Sequence, residues 1–447
     1  MKRYPAYQDG IYDWWQKVPA HWSKCSMRSI LTLCDERRND RDEELLSVYR
    51  ELGVIRKNSR MDNHNVESAD LSKYKMVYPG NLVMNKMKMW QGSLGVSSFR
   101  GIVSPAYIVC KVAYDDKIDR RFFHLLLRST SFKTFYNRIS YGIRVGQWDM
   151  DYSDFRTLTI FLPSLSEQRQ IVRYLDWKTA QIDRAIRGYE RLIALLEERK
   201  TAVINEAVTK GVRRGIVTKK SGVNWLDKIP QHWEMRYAKQ LFALRRDKAR
   251  EDDEQLTSSQ KYGIISQREF MEREGRRVTV VLKGEDILKH VEVGDFVISM
   301  RSFQGGLEYS HVSGKISSAY VMLIPNHDFV YDRYFRWLFK SESYIRALQG
   351  TSDLIRDGQA LRYTNFAKVY LPCIPLNEQK EIADYIDMEV RRIDNAMIPI
   401  AKQMELLRER RTRLISDVVT GQVDVCDVVV PDREAQDDGD EYDGAGA

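Results

Sequence analysis

The stretch EQRQIVRYLDWKTAQID, residues 167–183, recurs as EQKEIADYIDMEVRRID at residues 378–394, which is 211 positions further along the chain. In both copies apolar side chains continue beyond the quoted stretch at alternating steps of four and three residues. Such spacing, sustained over about four heptads, is the pattern of a helix that pairs with another helix. The two stretches therefore predict two long helices with the same phase.

The predicted pairing seam occupies matching positions in both helices. Its residues are Ile182, Ile186, Tyr189, Ile193, Leu196 and Val203 in the first helix and Ile393, Met397, Ile400, Met404, Leu407 and Leu414 in the second. The matched phase favours pairing of the two helices with each other, and the alternative is that each helix packs only on its own domain. Asp176 is a possible cap where the first helical region divides into two helices. Pro399 is expected to kink or locally unwind the second helix.

The duplication covers almost the whole chain. The motif Trp14-x4-Pro19-x-His21-Trp22 recurs as Trp225-x4-Pro230-x-His232-Trp233, residues 87–92 recur as 300–305, residues 104–107 as 317–320, and residues 143–147 as 355–359. The order of segments is therefore A–B–A′–B′, with a period far longer than that of solenoid repeats. We interpret the A segments, in which short apolar runs alternate with helical patterns, as two similar globular domains.

The predicted fold class is mixed α/β (α+β). It has two similar globular domains separated by two long helices, which pack as an antiparallel coiled coil with pseudo-two-fold symmetry. The predicted boundaries are residues 1–160 for the first domain, 161–222 for the central helical region, 223–369 for the second domain, 370–423 for the distal helical region, and 424–447 for an acidic, disordered tail.

Charge is distributed unevenly along the chain. The net charge is +8, but residues 424–447 hold nine acidic residues and one basic residue, so the remainder carries +16. A body this basic suits a polyanionic partner such as nucleic acid. The five cysteines show no paired spacing, which predicts neither a disulfide framework nor a zinc site and fits a reducing cytoplasm. The sequence contains no signal peptide and no apolar run long enough to span a membrane.

Three of the duplicated motifs resemble those of the specificity subunits of type I restriction-modification systems. They are the Trp–Pro–His–Trp motif, the two Leu-Pro…Glu-Gln stretches that begin at residues 162 and 371, and the phrase EERKTAVINEAVTKG of the first helix. The resemblance extends over about residues 11–423. Pro399 and the acidic tail depart from the family pattern.

The resemblance implies a non-catalytic, cytoplasmic DNA-binding subunit used in defence against foreign DNA. Two target recognition domains would each read one part of a split, asymmetric site in double-stranded DNA. The conserved helices would hold two methyltransferase (modification) subunits, joined by ATP-driven restriction/translocase subunits. No cofactor or metal is expected on this chain, and S-adenosylmethionine, ATP and Mg²⁺ are expected on the partner subunits.

Candidate DNA-binding side chains lie in the duplicated motifs that contain glycine. They are Lys88, Trp90, Gln91, Arg144 and Gln147 in the first copy and Arg301, Phe303, Gln304, Arg356, Gln359 and Arg362 in the second. Arg and Lys can bind the O6 and N7 atoms of guanine, and Gln can bridge N6 and N7 of adenine. Because both copies share these motifs, contacts to phosphates or a purely structural role are the alternatives to base contacts.

Two other functions are compatible with the sequence. One is a non-catalytic coiled-coil scaffold that binds other proteins. The other is an enzyme that modifies or cuts DNA alone, although the sequence has no phosphate-binding Gly-x-x-x-x-Gly-Lys-Ser/Thr loop, no Asn-Pro-Pro-aromatic methyltransferase motif and no catalytic residues that we can assign.

Overall fold

The computed structural model describes residues 2–37, 43–50, 52–59, 71–114, 117–144, 147–275, 287–299, 307–351 and 363–431, without the side chains of residues 143, 144 and 147. The chain forms two compact units. Unit 1 comprises Met1–Tyr189 and Lys402–Ala447, and unit 2 comprises Glu190–Ala401. Each unit contains one globular α/β domain and a segment of each of two long helices, which agrees with the predicted fold class. Among the described residues, no helix is long and apolar enough to cross a membrane.

Unit 1 is built around a four-stranded antiparallel sheet with the order β4-β11-β8-β9. The strands are β1 (Tyr7–Tyr12), β2 (Trp15–Pro19), β3 (Ser23–Ser26), β4 (Leu31–Cys34), β5 (Leu46–Tyr49), β6 (Gly53–Arg56), β7 (Lys75–Val77), β8 (Leu82–Asn85), β9 (Leu94–Val96), β10 (Gly101–Val103), β11 (Tyr107–Val112), β12 (Ser140–Arg144), β13 (Gln147–Met150) and β14 (Thr159–Leu162). The α-helices are α1 (Met27–Ile30), α2 (Arg120–Leu127), α3 (Thr130–Arg138), α4 (Tyr152–Thr157) and α5 (Leu165–Lys210), and Lys57–Ser59 and Lys86–Gln91 are 3₁₀ helices.

Unit 2 repeats this arrangement, with a four-stranded sheet of order β18-β25-β22-β23. Its strands are β15 (Thr218–Val223), β16 (Leu226–Pro230), β17 (Glu234–Tyr237), β18 (Phe242–Leu244), β19 (Leu256–Ser259), β20 (Gly263–Ser266), β21 (Lys289–Val291), β22 (Phe296–Ser299), β23 (Glu308–Tyr309), β24 (Gly314–Ile316), β25 (Tyr320–Pro325) and β26 (Tyr370–Cys373). Its helices are α6 (Ala238–Leu241), α7 (Gln267–Glu274), α8 (Asp332–Lys340), α9 (Glu342–Gln349), α10 (Tyr363–Lys368) and α11 (Leu376–Val419).

Each domain buries an aromatic core between its sheet and two amphipathic helices. In unit 1 the rings come mainly from α2 and α3, and in unit 2 from α8 and α9. Both domains also bring two backbone segments close together at a glycine. A Cβ on Gly101 would lie 2.3 Å from the Glu44 carbonyl oxygen, and a Cβ on Gly314 would lie 2.4 Å from the Glu254 carbonyl oxygen. Only glycine fits at these two positions, which explains why both copies keep it.

The long helix α5 is continuous from Leu165 to Lys210, so the predicted division near Asp176 is wrong. The Asp176 carboxylate pairs with Arg121 at 3.3 Å and does not cap a new helix. The second long helix likewise continues through Pro399, so the expected local unwinding is wrong, whereas the expected kink stays a prediction. Proline removes one N–H donor, and the helical turns on either side maintain the helix across that gap. Gly211, with a φ of 77°, follows the last residue of α5 as predicted.

Within each unit the two helical segments run antiparallel. In unit 1, Asp183 pairs with Arg411 at 3.0 Å, and Gln170 donates to the Val425 carbonyl, just beyond the end of α11, at 3.1 Å. In unit 2, Lys200 pairs with Asp394 at 2.7 Å, and Arg213, just beyond the end of α5, pairs with Glu381 at 2.8 Å. In both units, residues further along α5 contact residues earlier along α11, which is the pattern of antiparallel helices. The Asp183–Arg411 and Asp394–Lys200 pairs are equivalent under the 211-residue repeat.

The segment after α11 packs on unit 1, although the sequence predicts a disordered tail from residue 424. The Asp424 N–H donates to the Lys2 carbonyl at 3.0 Å, Val425 is buried, and Gln170 donates to the Val428 carbonyl at 2.7 Å. The valines in this segment provide apolar surface that can be buried, although the segment as a whole is acidic. Residues 432–447 lie outside the described part of the chain. The predicted domain boundaries differ from the compact units, which divide both long helices, and they stay predictions.

Candidate nucleic-acid interface

The 3₁₀ helix Lys86–Gln91 of unit 1 presents the first candidate motif. Asn85 caps it by accepting a hydrogen bond from the Met87 N–H at 3.2 Å, and the left-handed Gly92 ends it. Met89 is fully buried and anchors the helix, whereas Lys88 is exposed and Trp90 and Gln91 are half-buried. The local fold therefore holds Lys88 on the surface of a rigidly anchored turn.

The hairpin β12–β13 packs beside this turn and carries the second candidate motif. Trp148 of the hairpin contacts Trp90 with ring centroids 5.2 Å apart, and Asp149 pairs with Lys86 at 3.0 Å. In the hairpin backbone Arg144 is the register partner of Gln147. Two motifs that are more than 50 residues apart in sequence therefore form one surface in unit 1. The side chains of Arg144 and Gln147 lie outside the described part of the structure.

Trp90 has a mainly structural place in this surface. Its indole Nε1–H is buried and has no hydrogen-bond partner among the described residues, and its ring packs on that of Trp148. The counterparts in unit 2, which are Arg301, Phe303, Gln304, Arg356, Gln359 and Arg362, all lie outside the described residues. Their role as DNA ligands stays a prediction.

A buried glutamate at the start of α5 connects this helix to the domain of unit 1. Glu167 accepts hydrogen bonds from the Tyr4 hydroxyl at 2.8 Å and the Trp22 Nε1–H at 3.1 Å, and it contacts His21 Nε2 at 2.8 Å. Burial and the hydrogen bond to Glu167 raise the pKa of Tyr4. We call these four residues the glutamate network of unit 1.

The same arrangement recurs at the start of α11. Glu378 accepts from the Trp233 Nε1–H at 3.1 Å and contacts His232 Nε2 at 2.7 Å, forming the glutamate network of unit 2. Gly215 stands where the repeat would place a third donor equivalent to Tyr4. The Trp–Pro–His–Trp motif is thus a connection between domain and helix. Tryptophan is ordinarily expected to act as a packing anchor, and nothing in the sequence indicates that these indole N–H groups bind the glutamates.

The glutamine that follows each glutamate is fully buried and saturated with hydrogen bonds. Gln168 donates to the carbonyls of Lys117 and Pro163 at 2.7 and 2.9 Å and accepts from the Asp119 N–H at 2.8 Å. Gln379 makes the equivalent three bonds in unit 2. Each Glu-Gln pair therefore fixes the first turn of a long helix against its domain, because buried polar groups that are fully paired specify one geometry.

The predicted seam residues all lie on less accessible faces of the helices. Four of them are buried, namely Ile186, Ile393, Met404 and Leu414. The others are half-buried, namely Ile182, Tyr189, Ile193, Leu196, Val203, Met397, Ile400 and Leu407. Their assignment as a continuous pairing seam stays a prediction.

A histidine distinguishes the domain of unit 2 from that of unit 1. His290 in β21 is 1% exposed, and its Nδ1 and Nε2 atoms lie 2.8 Å from Asp253 and 3.1 Å from Glu292. In unit 1 the strand-register equivalent is Met76, also 1% exposed. Burial by itself lowers the pKa of His290, but the hydrogen bonds to the two carboxylates outweigh burial and raise it above the usual value. The two carboxylates therefore favour the protonated form of the buried ring.

A His290→Met variant, which copies unit 1, is expected to lose pH-dependent stability in unit 2. Because the folded-state pKa is raised, His290 stabilises the fold fully below the unfolded pKa of about 6.5 and loses this contribution as the pH rises through the folded value. The free energy of local opening at β21, measured by hydrogen exchange, should fall by about 1–2 kcal/mol in the variant at pH 6 and by less at pH 9. A deficit that is the same at both pH values would contradict this account.

No group of three or more His, Cys, Asp or Glu side chains with the geometry of a metal site occurs among the described residues. Burial raises the pKa of the Cys110 thiol to about 11. In unit 1 an anchored surface turn, Lys86–Gln91, therefore lies on a domain that is fixed to the start of a long helix.

The fold has counterparts among solved structures, although neither a protein-family model nor a curated protein matches the sequence. A chain from a structural study of complex assembly and conformational transition in the type I restriction-modification (R-M) system matches 91% of this chain and 100% of its own length, with 13% identity and a TM-score of 0.61. The HsdS subunit from Thermoanaerobacter tengcongensis gives 15% identity, coverage of 93% and 100%, and a TM-score of 0.47. A type I R-M S subunit from M. genitalium has 11% identity and a TM-score of 0.32, and the match covers 89% of this chain and 96% of that subunit. On the first of these matches, the chain has the fold of a component of the type I restriction-modification system.

Proposed function

We propose that this chain is the DNA sequence-specificity subunit of a type I restriction-modification system. The observation that carries the proposal is the fold match over 91% of this chain and the whole of a chain from such a system. The duplicated Trp–Pro–His–Trp and Glu-Gln motifs, which resemble this family, connect each domain to a long helix and support the proposal. The chain itself would perform no chemistry and would bind no cofactor.

The two domains would act as unlike readers of a split DNA site. They share a scaffold, seen in the two glutamate networks, but their other side chains differ, as Met76 and His290 illustrate. An asymmetric, bipartite site follows, because each reader contacts its own half-site. In unit 1 the reading surface would be the turn Lys86–Gln91 with the hairpin β12–β13, where exposed Lys88 suits a phosphate.

The long helices would recruit the catalytic subunits. Apolar side chains are exposed on both helices in unit 2, namely Leu192 and Leu195 on α5 and Met388 and Ile398 on α11. Exposed apolar residues grouped on helices suit a protein interface. We infer two methyltransferase subunits bound here, together with ATP-dependent restriction/translocase subunits. S-adenosylmethionine, ATP and Mg²⁺ would then belong to these partners.

The proposal predicts how binding of the purified complex of this chain with its methyltransferase partner responds to salt and to Lys88→Gln. Binding to a duplex with the target site should weaken steeply with salt, and the variant should reduce the slope of log K against log [salt] by about 1 on every duplex, since one phosphate contact is lost. Lys402→Gln, on the exposed surface of α11, is the matched control and should leave the slope unchanged. Fluorescence anisotropy measures both quantities.

Equal affinity for every duplex would overturn the proposal. Binding of other proteins that ignores both salt and competitor DNA would favour a coiled-coil scaffold in its place.

A further inference from the structure

The first hairpin of each domain carries a cross-strand pair of charged residues. In unit 1, Asp9 of β1 is the register partner of Lys17 of β2, and the two side chains form an ion pair at 2.6 Å. The ion pair lowers the pKa of Asp9. Opposite charges placed directly across an antiparallel ladder stabilise the hairpin, so this pair has an ordinary structural explanation.

The same pair is replaced by two lysines in unit 2. Lys220 of β15 is the register partner of Lys228 of β16, and these positions equal Asp9 and Lys17 plus 211. The hairpin is otherwise the same, with six- and five-residue strands and the same register shift near its turn. One carboxylate has therefore become an ammonium group at an equivalent site, a local change of two charges.

Both lysines are exposed, and neither has an ion-pair partner among the described residues. Side chains directly opposite each other on one face of an antiparallel pair have Cβ atoms about 5 Å apart, and like charges there are destabilising. The Lys220–Lys228 pair by itself therefore does not stabilise the folded domain. A feature that opposes folding at the position where the other copy has a stabilising pair points to a function in binding.

We propose that the Lys220–Lys228 pair is a docking site for the phosphate backbone of duplex DNA, outside the surfaces that read bases. An anion between the two ammonium groups removes their repulsion and takes the place that Asp9 has beside Lys17. Duplex DNA fits best because the chain outside its acidic tail carries +16 and attracts a polyanion over long range. The inference rests on the proposed function. It adds a sequence-independent contact present in one unit and replaced by an internal ion pair in the other.

The test uses the complex of the full chain with its methyltransferase partner and a fluorescently labelled random-sequence duplex of about 30 base pairs, titrated over a range of salt concentrations. Lys220→Asp restores the pairing of unit 1, and the new carboxylate also neutralises Lys228. The slope of log K against log [salt] should therefore fall in magnitude by about 2, with affinity in low salt reduced about tenfold. Lys219→Asp makes the same change of charge one residue away, on the opposite face of the strand. It should reduce the slope by less than 1.

Several outcomes overturn the inference. Equal effects of Lys220→Asp and Lys219→Asp would mean that only net charge matters. Unchanged DNA binding by Lys220→Asp, together with loss of binding to polyglutamate, would assign the site to an acidic protein. In both cases the wild-type chain still binds DNA, so the proposed function survives. Absence of DNA binding by the wild-type complex with its methyltransferase partner would instead refute the proposed function itself.

Discussion

A Glu378→Ala variant is expected to destabilise unit 2 by about 3 kcal/mol. The Glu378 side chain is 3% exposed and accepts the Trp233 Nε1–H, whose ring is fully buried. Without the carboxylate this donor stays buried and unpaired, which costs about 1–3 kcal/mol, and the lost side chain leaves a cavity. His232 contributes less, because its side chain is 43% exposed and can turn towards water.

Two variants make this prediction specific. Glu378→Gln keeps an acceptor of similar volume and should cost clearly less than alanine. Glu381→Ala lies one turn further along α11 and removes only an exposed ion pair with Arg213, so it should have little effect. Hydrogen exchange across the first turns of α11 measures the free energy of opening. Equal losses in Glu378→Ala and Glu381→Ala would contradict a role of the glutamate network in joining helix and domain.

On the proposed function, exchange of residues 1–160 for those of a type I specificity subunit is expected to change one half of the DNA target completely and leave the other half unaltered. The exchanged domain would bring its own DNA-reading surface, whereas the contacts between domain and long helix would be kept. The incoming domain must supply equivalents of His21 and Trp22, because these groups bind Glu167 of the retained helix and recur in unit 2. The ratio of the affinities for the original and the new half-site sequence should change by several orders of magnitude in favour of the new one. Each mismatched base pair costs about 1–3 kcal/mol.

The readout is the methylation pattern of genomic DNA in cells that carry the exchanged subunit together with its partners. A matched control makes the same exchange but has alanine at the two positions of the incoming domain that correspond to His21 and Trp22, which should prevent assembly of a working reader. A change in both halves of the target would show that the domains do not act separately.

The duplication made the architecture predictable, because offsets of 211 to 213 residues hold for the helices and for the domains alike. It did not reveal how they connect. Trp22 and Glu167 are 145 residues apart, and Trp233 and Glu378 are separated by the same 145. That equal separation follows from the shared offset of 211 residues and does not by itself indicate a contact. A motif-by-motif interpretation treats tryptophan as a packing residue and glutamate as part of a helical first turn, and it misses the hydrogen bond between them.

Other features could not be predicted from local patterns. Asp176 is a good cap by residue type, but its partner Arg121 belongs to α2 and is distant in sequence. The acidic composition after residue 423 predicts disorder, although Val425 is buried against unit 1. At the candidate site, the contact of Trp90 with Trp148 depends on the tertiary packing of a hairpin on a 3₁₀ turn. Periodicity describes one element at a time, whereas these contacts depend on pairs of elements.

The central claim is that two unlike domains read two unlike half-sites of DNA. Mapping methylated adenines at single-base resolution, in cells that express this chain with its methyltransferase partner, tests it most directly. The account predicts one asymmetric target in two separated parts, with a spacer of fixed length and with methylation absent when this chain is deleted. A palindromic or continuous target, or methylation that persists without the chain, would contradict it.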